Sequence, residues 1–288
     1  MANKKLKTPV NIPVEKIHPF EGHPYKVLDN DEMNNLIESI QQKGVISPIV
    51  VRPLENTTDE YELISGHRRL RASVKAGLET VPALIYAVTR DEAAIMLVDS
   101  NLHREHILPS EKAFAYKLKM EAMSRQGYRS DLTSCQVGTK LRTDEIIAEN
   151  STDSARQIQR YIRLTYLIPE LLELVDEERI AFTPAVELSY LNEVEQADLV
   201  EEIRVCDATP NLSQAQRLRA ISREEGLTPE HIGEILAEEK ANQREKIRIP
   251  AERIRKYFPK SYTTEQIEEA IIKICESRYR ARQGRDAR

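Results

Sequence analysis

The hydrophobic pattern of this chain changes period near residue 90, and that change limits the available folds more than any other feature. Before it, short apolar runs of strand character alternate with helical stretches. After Asp91 strand signals cease, and apolar residues recur at helical spacing. The pattern implies the α+β class: a small mixed α/β domain, then an all-helical domain, then a short helical C-terminal unit. A length of 288 residues accommodates about two domains.

Within the mixed region, Val10 to Ile17 reads as extended and Glu21 to Tyr25 as turn-rich. Asp29, Asn30 or Asp31 caps a helix carrying Met33, Leu36, Ile37 and Ile40, which Gly44 ends. Ile49 to Arg52 and Glu60 to Ile64 read as strands. Gly66 starts a helix through Ala76, closed by Gly77, and a further strand lies near Val81 to Val88. In the helical region, caps stand at Pro109-Ser110, Thr143-Asp144, Thr183-Pro184, Asn211 to Ser213 and Thr228-Pro229. Tyr128 to Leu141 reads as a loop or local insertion. The expected divisions are a basic flexible tail at 1–9, a mixed domain at 10–108, a helical domain at 109–226 and a C-terminal segment at 227–288.

Composition narrows the function classes. The longest apolar run, Ala93 to Val98, spans six residues, which excludes a membrane helix, and the first residues lack a secretory pattern. A cytoplasmic location follows as the expectation. Cys135, Cys206 and Cys275 are too sparse for a disulfide framework. Net charge is −5, but residues 168–205 hold eleven Asp or Glu against two Arg, leaving the remainder at +4. Local patches rather than net charge govern contact with phosphates. The acidic stretch should therefore face away from any phosphate backbone, with Leu171, Leu172, Leu174, Val175 and Ile180 as its core stripe.

Gly66-His67-Arg68-Arg69-Leu70-Arg71-Ala72 follows a strand and opens a helix. Its glycine permits close backbone approach, the helix start presents free N–H groups, and three arginines offer forked donors, a combination suited to a polyphosphate. The same residues also suit an exposed basic helix face with Leu70 and Val74 buried. A second polar cluster, Asp99 to Glu105, sits at a helix junction and serves either as capping or as the rest of a nucleotide and metal site. The spacing of His103 and His106, with His67 as a third ligand, raises zinc, although no cysteine accompanies them.

These segments resemble the ParB family of plasmid and chromosome partition proteins. Gly66 to Ala72 is similar to the family motif G-E-R-R-x-R-A, Gly44 to Arg52 to G-x-x-Q-P-I-x-V-R, and Ser100 to Glu105 to E-N-L-Q-R-E, with order and spacing agreeing from about residue 10 to 190. The resemblance implies an N-terminal domain that binds CTP with Mg²⁺, a helix-turn-helix in the first helical region, and a homodimer that clamps and slides on double-stranded DNA. It implies a nucleotide pocket built from Gly66, His67, Arg68, Arg69, Arg71, Ala72, Ser100, Asn101 and Arg104, with Asn101 as the residue nearest to a Mg²⁺ role. His67 replaces the motif's Glu, and Ser100 stands where the family carries the Glu associated with the metal. A hydroxyl is the poorer ligand for a hard cation, so the chain is at most a weak CTPase.

Thr143 to Glu149, a polar turn at Asn150 to Asp153 and a second helix from Ser154 to Leu167 resemble a helix-turn-helix. Ala155, Ile158, Tyr161 and Ile162 form its buried stripe and leave Arg156, Gln157, Gln159, Arg160 and Arg163 exposed. Ser154, Arg156, Gln157 and Arg160 are expected to read base edges, and Arg163 to touch phosphate. Lys4, Lys5 and Lys7 suit the family's ParA-stimulating basic tail, simple solubility or a contact with DNA. Ile267, Ala270, Ile271 and Ile274 form a stripe suited to self-association or to packing within the chain. The resulting expectation is a nucleoid-associated partition protein that binds a centromere-like site and recruits a ParA-type ATPase. The other readings are a phosphotransferase on the sulfiredoxin-like fold, and a transcription or nucleoid-occlusion regulator.

Overall fold

The computed structural model describes residues 8–55, 57–102, 104, 106–126, 142–238, 254–259, 262–263, 266–267 and 269–277. The expectations for the basic tail, for 128–141, for His103 and for the tail beyond residue 277 fall outside these residues. The chain divides into two compact units, Met1–Glu238 and Glu239–Arg288.

Strands β1 (Val10–Pro13), β2 (Ile17–His18), β3 (Ile49–Pro53), β4 (Tyr61–Ser65) and β5 (Thr80–Ile85) form one sheet in the order β1-β5-β3-β4-β2. The β1/β5 and β3/β4 pairs are antiparallel, whereas β3/β5 and β2/β4 are parallel. The expected extended entry is broken by a 3-10 turn at Val14–Lys16, which lets the chain leave one sheet edge and rejoin at the other.

Helices α1 (Asp31–Lys43) and α2 (His67–Lys75) share Met33, Ile40 and Ala72 as a buried seam. Asn30 caps α1 by accepting from Met33 N, and Gly44 closes it at φ 70°. Leu70 of α2 packs on the apolar residues Ile49, Val51, Leu63 and Val81 of the sheet. Val74, in contrast, is exposed, so a basic face with Val74 in the core is not what forms. A second cluster, with Ile64, Phe20 and Tyr25, lies against α3 (Arg90–Asn101) and α4 (Pro109–Arg125).

Helix α4 is the shared spine. Ala115 and Ala122 face the α/β part, while Tyr116 and Met123, also seven residues apart, pack on Ile147 of α5 (Thr143–Glu149) and Ile158 of α6 (Ala155–Leu164). Ala113 joins the largest core, built by α6, α7 (Pro169–Asp176), α8 (Phe182–Leu188), α9 (Glu193–Cys206), α10 (Leu212–Glu224) and α11 (Pro229–Ala237). The expected stripe of Leu171, Leu172, Val175 and Ile180 is buried there, with Leu174 half-buried against it. Two acidic residues of this stretch are withdrawn from water: the Asp176 side chain, only 8% exposed, and Glu195, which is buried and accepts from Leu227 N, Ser222 Oγ and Asn192 N.

In the second unit, residues 269–277 are helical. Ile267, Ala270 and Ile271 are half-buried, and Ile274 is exposed. No helix among the described residues is long and apolar enough to cross a membrane.

Candidate functional site

Two places in the first unit carry groups suited to ligands. The first is the start of α2. Gly66, the residue before the helix, sits in the left-handed region at φ 104°, and no side chain caps the first turn. A Cβ there would lie 2.8 Å from Ile49 Cγ2. Only glycine meets both demands without strain. Gly66→Ala is expected to lower stability by about 2 kcal/mol, read as a drop in the urea midpoint at unchanged slope.

Of the three arginines only Arg69 stays at that helix start, its Nη2 3.1 Å from where a Gly66 Cβ would lie. Arg68 is bound to Glu32 at 3.0 Å, and Arg71 grips Asp29 through Nε at 2.8 Å and through Nη2, with Lys75 on the same carboxylate at 2.8 Å. Those two arginines therefore face α1, and Arg71, with Lys75, holds the Asp29 carboxyl well below the usual carboxylate range. Arg69 turns the other way and donates to the carbonyls of Ser47 and Pro48 at 2.7 and 2.6 Å, bracing the approach to β3. Ala72 belongs to the α1–α2 seam. The acids that take up these guanidinium groups stand some forty residues upstream, beyond the reach of a local motif.

What the fold does bring to the start of α2 is the turn 22–25 and Arg104. The His67 ring lies against His23 with centroids 3.6 Å apart and a tilt of 32°, and His23 meets Tyr25 edge-on at 5.6 Å. Arg104 lies 5.6 Å over the Tyr25 ring. His67 Nε2 and Tyr25 Oη are buried without a hydrogen-bond partner, as is one other side-chain atom among the described residues, His231 Nδ1. Buried polar atoms are ordinarily paired, so these two mark a place where a partner fits.

Burial lowers His23 to about 4, with Arg104 adding to the effect and a hydrogen bond with the Tyr25 backbone opposing it. Burial, then His23 and Arg104, lowers His67 to about 3. Burial raises the Tyr25 hydroxyl. For a depressed histidine, the unfolded chain takes up its proton first as pH falls below about 6.5. Stability contributed by the neutral pair is thus present above that value and is lost as pH falls toward 4. A His23→Asn/His67→Asn double variant is expected to flatten this part of the stability-versus-pH curve in denaturant titrations.

Ser100 and Asn101 act on their own helix end. Ser100 Oγ donates to Leu97 O at 2.9 Å, and Asn101 is buried with its Nδ2 donating to Leu97 O at 2.8 Å. Among the described residues no group of three or more His, Cys, Asp or Glu could hold a metal ion. Behind the 22–25 turn is a cleft of about 410 Å³ lined by His23, Lys26, Ser110, Phe114, Leu172 and Asp176. Asp176 accepts from Ser110 N at 3.0 Å, Ser110 Oγ at 2.6 Å and Lys26 Nζ at 2.9 Å, tying the turn to both α4 and α7.

The second place is the α5–α6 pair. Asp153, in the turn between them, accepts from Tyr116 Oη at 2.6 Å and Lys112 Nζ at 2.8 Å, which fixes the turn to the spine. Ser154 caps α6 by accepting from Gln157 N at 3.3 Å. Arg156 and Gln159 are exposed. Gln159 donates to Asp144 at 3.0 Å, and among the described residues Arg156 has no hydrogen-bond or ion-pair partner. Gln157, expected to be exposed, is half-buried and accepts from Arg160 Nη1 at 3.2 Å, and the two arginines that follow are committed to α8. Arg160 is half-buried, donates to Thr183 Oγ1 at 2.9 Å and lies 4.9 Å over the Phe182 ring. Arg163 donates to Ser189 Oγ and O and is sandwiched between Tyr166 and Tyr190. Both guanidinium groups tie α6 to α8 because that helix packs one turn away, which the periodicity of α6 alone does not reveal.

A mixed sheet faced by helices is thus followed, in the same unit, by a helical bundle in which the α5–α6 pair is braced on the α4 spine. Residues 2–102 match the ParB N-terminal domain family, and this N-terminal part of the chain belongs to it. The nucleoid occlusion protein of Listeria innocua is 32% identical over 195 residues, which are 67% of this chain and 62% of that protein. The chromosome-partitioning protein Spo0J of Thermus thermophilus is 32% identical over 171 residues, 59% of this chain and 56% of that protein. The matched segments thus span less than two thirds of these relatives. Among solved structures, the C-terminally truncated ParB of Caulobacter crescentus, complexed to the centromeric parS site, is 22% identical, covering 73% of this chain and 98% of that one, with a TM-score of 0.43.

Proposed function

We propose that this chain is a sequence-specific double-stranded DNA-binding protein of the nucleoid that binds CTP with Mg²⁺ in its N-terminal domain. In this reading it loads as a homodimeric clamp at a centromere-like site and recruits a ParA-type ATPase. Membership of its N-terminal part in the ParB N-terminal domain family supports the reading. The observation that carries it is the pairing, in one compact unit, of an uncapped glycine-started helix over orphaned polar atoms with a reader braced by Asp153.

On the nucleotide side, Gly66 and the free N–H groups of the first turn of α2 would take phosphate oxygens, with His67, His23, Tyr25 and Arg104 around them. Arg68, Arg69 and Arg71 would reach a ligand only by leaving their present partners. Ser100 and Asn101 would need the same, and a metal would draw its ligands chiefly from the phosphates. With Ser100 in place of a carboxylate, turnover is weak. On the DNA side Ser154, Arg156, Gln157 and Gln159 form the reading edge. Arg160 and Arg163 position α6.

Chromatin immunoprecipitation tests the assignment. One sharp peak with broad flanks is expected from loading and spreading, whereas scattered narrow promoter peaks would favour the regulator reading. With a duplex cut from the peak, Arg156→Ala is expected to lose roughly 1–3 kcal/mol of specific affinity at fixed salt while non-specific binding changes little.

A further inference from the structure

We propose that an anionic phosphate ligand at the start of α2 binds together with one proton taken up by the His23–His67 imidazole pair, so that occupancy of this site is coupled to pH. The inference rests on the reading of that place as a nucleotide site and adds its regulation.

The geometry sets the coupling. The two rings are in contact at 3.6 Å, so both cannot carry charge at once, and a single proton shared by the pair is the most that fits. Without ligand the pair is kept neutral by its surroundings. The charged group acting on both rings is Arg104, a cation. The nearby carboxylates are committed elsewhere: Asp99 to Lys119 at 2.5 Å, and Glu111 to the N–H groups of Lys26 at 2.8 Å and Leu108 at 3.2 Å. Both act on Tyr25 rather than on the imidazoles. Of the cations of α2, Arg68, Arg71 and Lys75 face Glu32 and Asp29 on the α1 side, while Arg69, beside Gly66, donates to the carbonyls of Ser47 and Pro48. Lys26 is held by Asp176.

A phosphate chain entering here would bring the negative charge the cluster lacks, and its oxygens would meet His67 Nε2 and Tyr25 Oη, both now unpartnered. Protonation makes both imidazole nitrogens donors. A protonated His67 would thus present a charge-assisted donor to a ligand oxygen, and Tyr25 Oη would add a neutral one. Opposite charge favours the protonated form, so ligand and proton reinforce each other, by linkage to the same extent in both directions.

The test is titration calorimetry of the full chain with CTP and Mg²⁺ at pH 6.0 and 8.0, each in two buffers of different ionisation enthalpy. Net uptake approaching about one proton per site is expected at pH 6.0 and less at pH 8.0, with affinity falling by up to about tenfold per pH unit between them. The His23→Asn/His67→Asn variant is expected to lose the excess uptake and the pH slope. Binding with the same proton count in wild type and variant would overturn the coupling while leaving the nucleotide reading intact. No heat with CTP or inorganic triphosphate at millimolar concentration would overturn both. Should the variant fail to fold, the histidine ring resonances of the wild-type chain decide the matter: both rings must titrate at higher pH in the presence of CTP, and unmoved titrations refute the proposal.

Discussion

Glu62→Ala is expected to destabilise the first unit by about 3–5 kcal/mol. Glu62 on β4 stands opposite Arg52 on β3, both are buried, and the Nε to Oε2 distance is 2.6 Å. The pair lies in the middle of the sheet, under the Phe20–Gly22 stretch, whose Glu21 N also donates to Glu62 at 3.4 Å. Removing the carboxylate leaves a guanidinium out of water with only the exposed Glu55 within reach at 3.5 Å. Replacing both members, as Arg52→Met/Glu62→Leu, should recover most of the loss, because no uncompensated charge remains. Urea unfolding of the three variants measures this, and a double variant as unstable as the single would show that packing rather than charge sets the cost.

Asp153→Ala is expected to cost about 3 kcal/mol and to weaken specific DNA binding by roughly tenfold or more. The carboxylate is the joint acceptor for a tyrosine hydroxyl and a lysine ammonium; without it the ammonium loses its ion partner and the hydroxyl is left with Ser151 Oγ at 2.7 Å. The Tyr116 hydroxyl is already raised, first by burial and then by Asp153, so it stays a proton donor across any working pH. Lys112 would retain only the Tyr161 ring, 5.0 Å away. The turn that aims the start of α6 would then be free to move. Asp153→Asn, which keeps an acceptor for Tyr116, should recover part of the affinity. Binding measured below the unfolding transition separates aim from stability, and an unchanged dissociation constant there would exclude the bracing role.

Much of this architecture is legible from local pattern. The α1 periodicity, its Asn30 and Gly44 boundaries and the glycine before α2 follow from short-range rules, and so do the caps of α10 and α11. The family itself is legible from three ordered motifs. What local pattern does not carry is pairing over long separations. Arg68, Arg69 and Arg71 share one motif, yet each answers to a partner twenty to forty positions upstream, so their convergence on a ligand cannot be read from their adjacency. The turn Glu21 to Tyr25 offers only turn residues in sequence, while in space it supplies two members of the site. The exposure of Arg160 and Arg163 follows from the wheel of α6 until α8 covers it.

The Asp176 carboxylate has a consequence for how the two halves of the first unit communicate. It grips Ser110, in the first turn of the spine, from the end of α7 and, through Lys26, the stretch of backbone that holds His23 and Tyr25 in place. If that stretch shifts to admit a guest, the lysine must either follow or let go, and letting go leaves a nearly water-free anion with one fewer cation at the hinge of α4 and α7. The turn that carries His23 and Tyr25 and the bundle that carries α6 thus share one anchoring charge, on a residue belonging to neither recognisable motif.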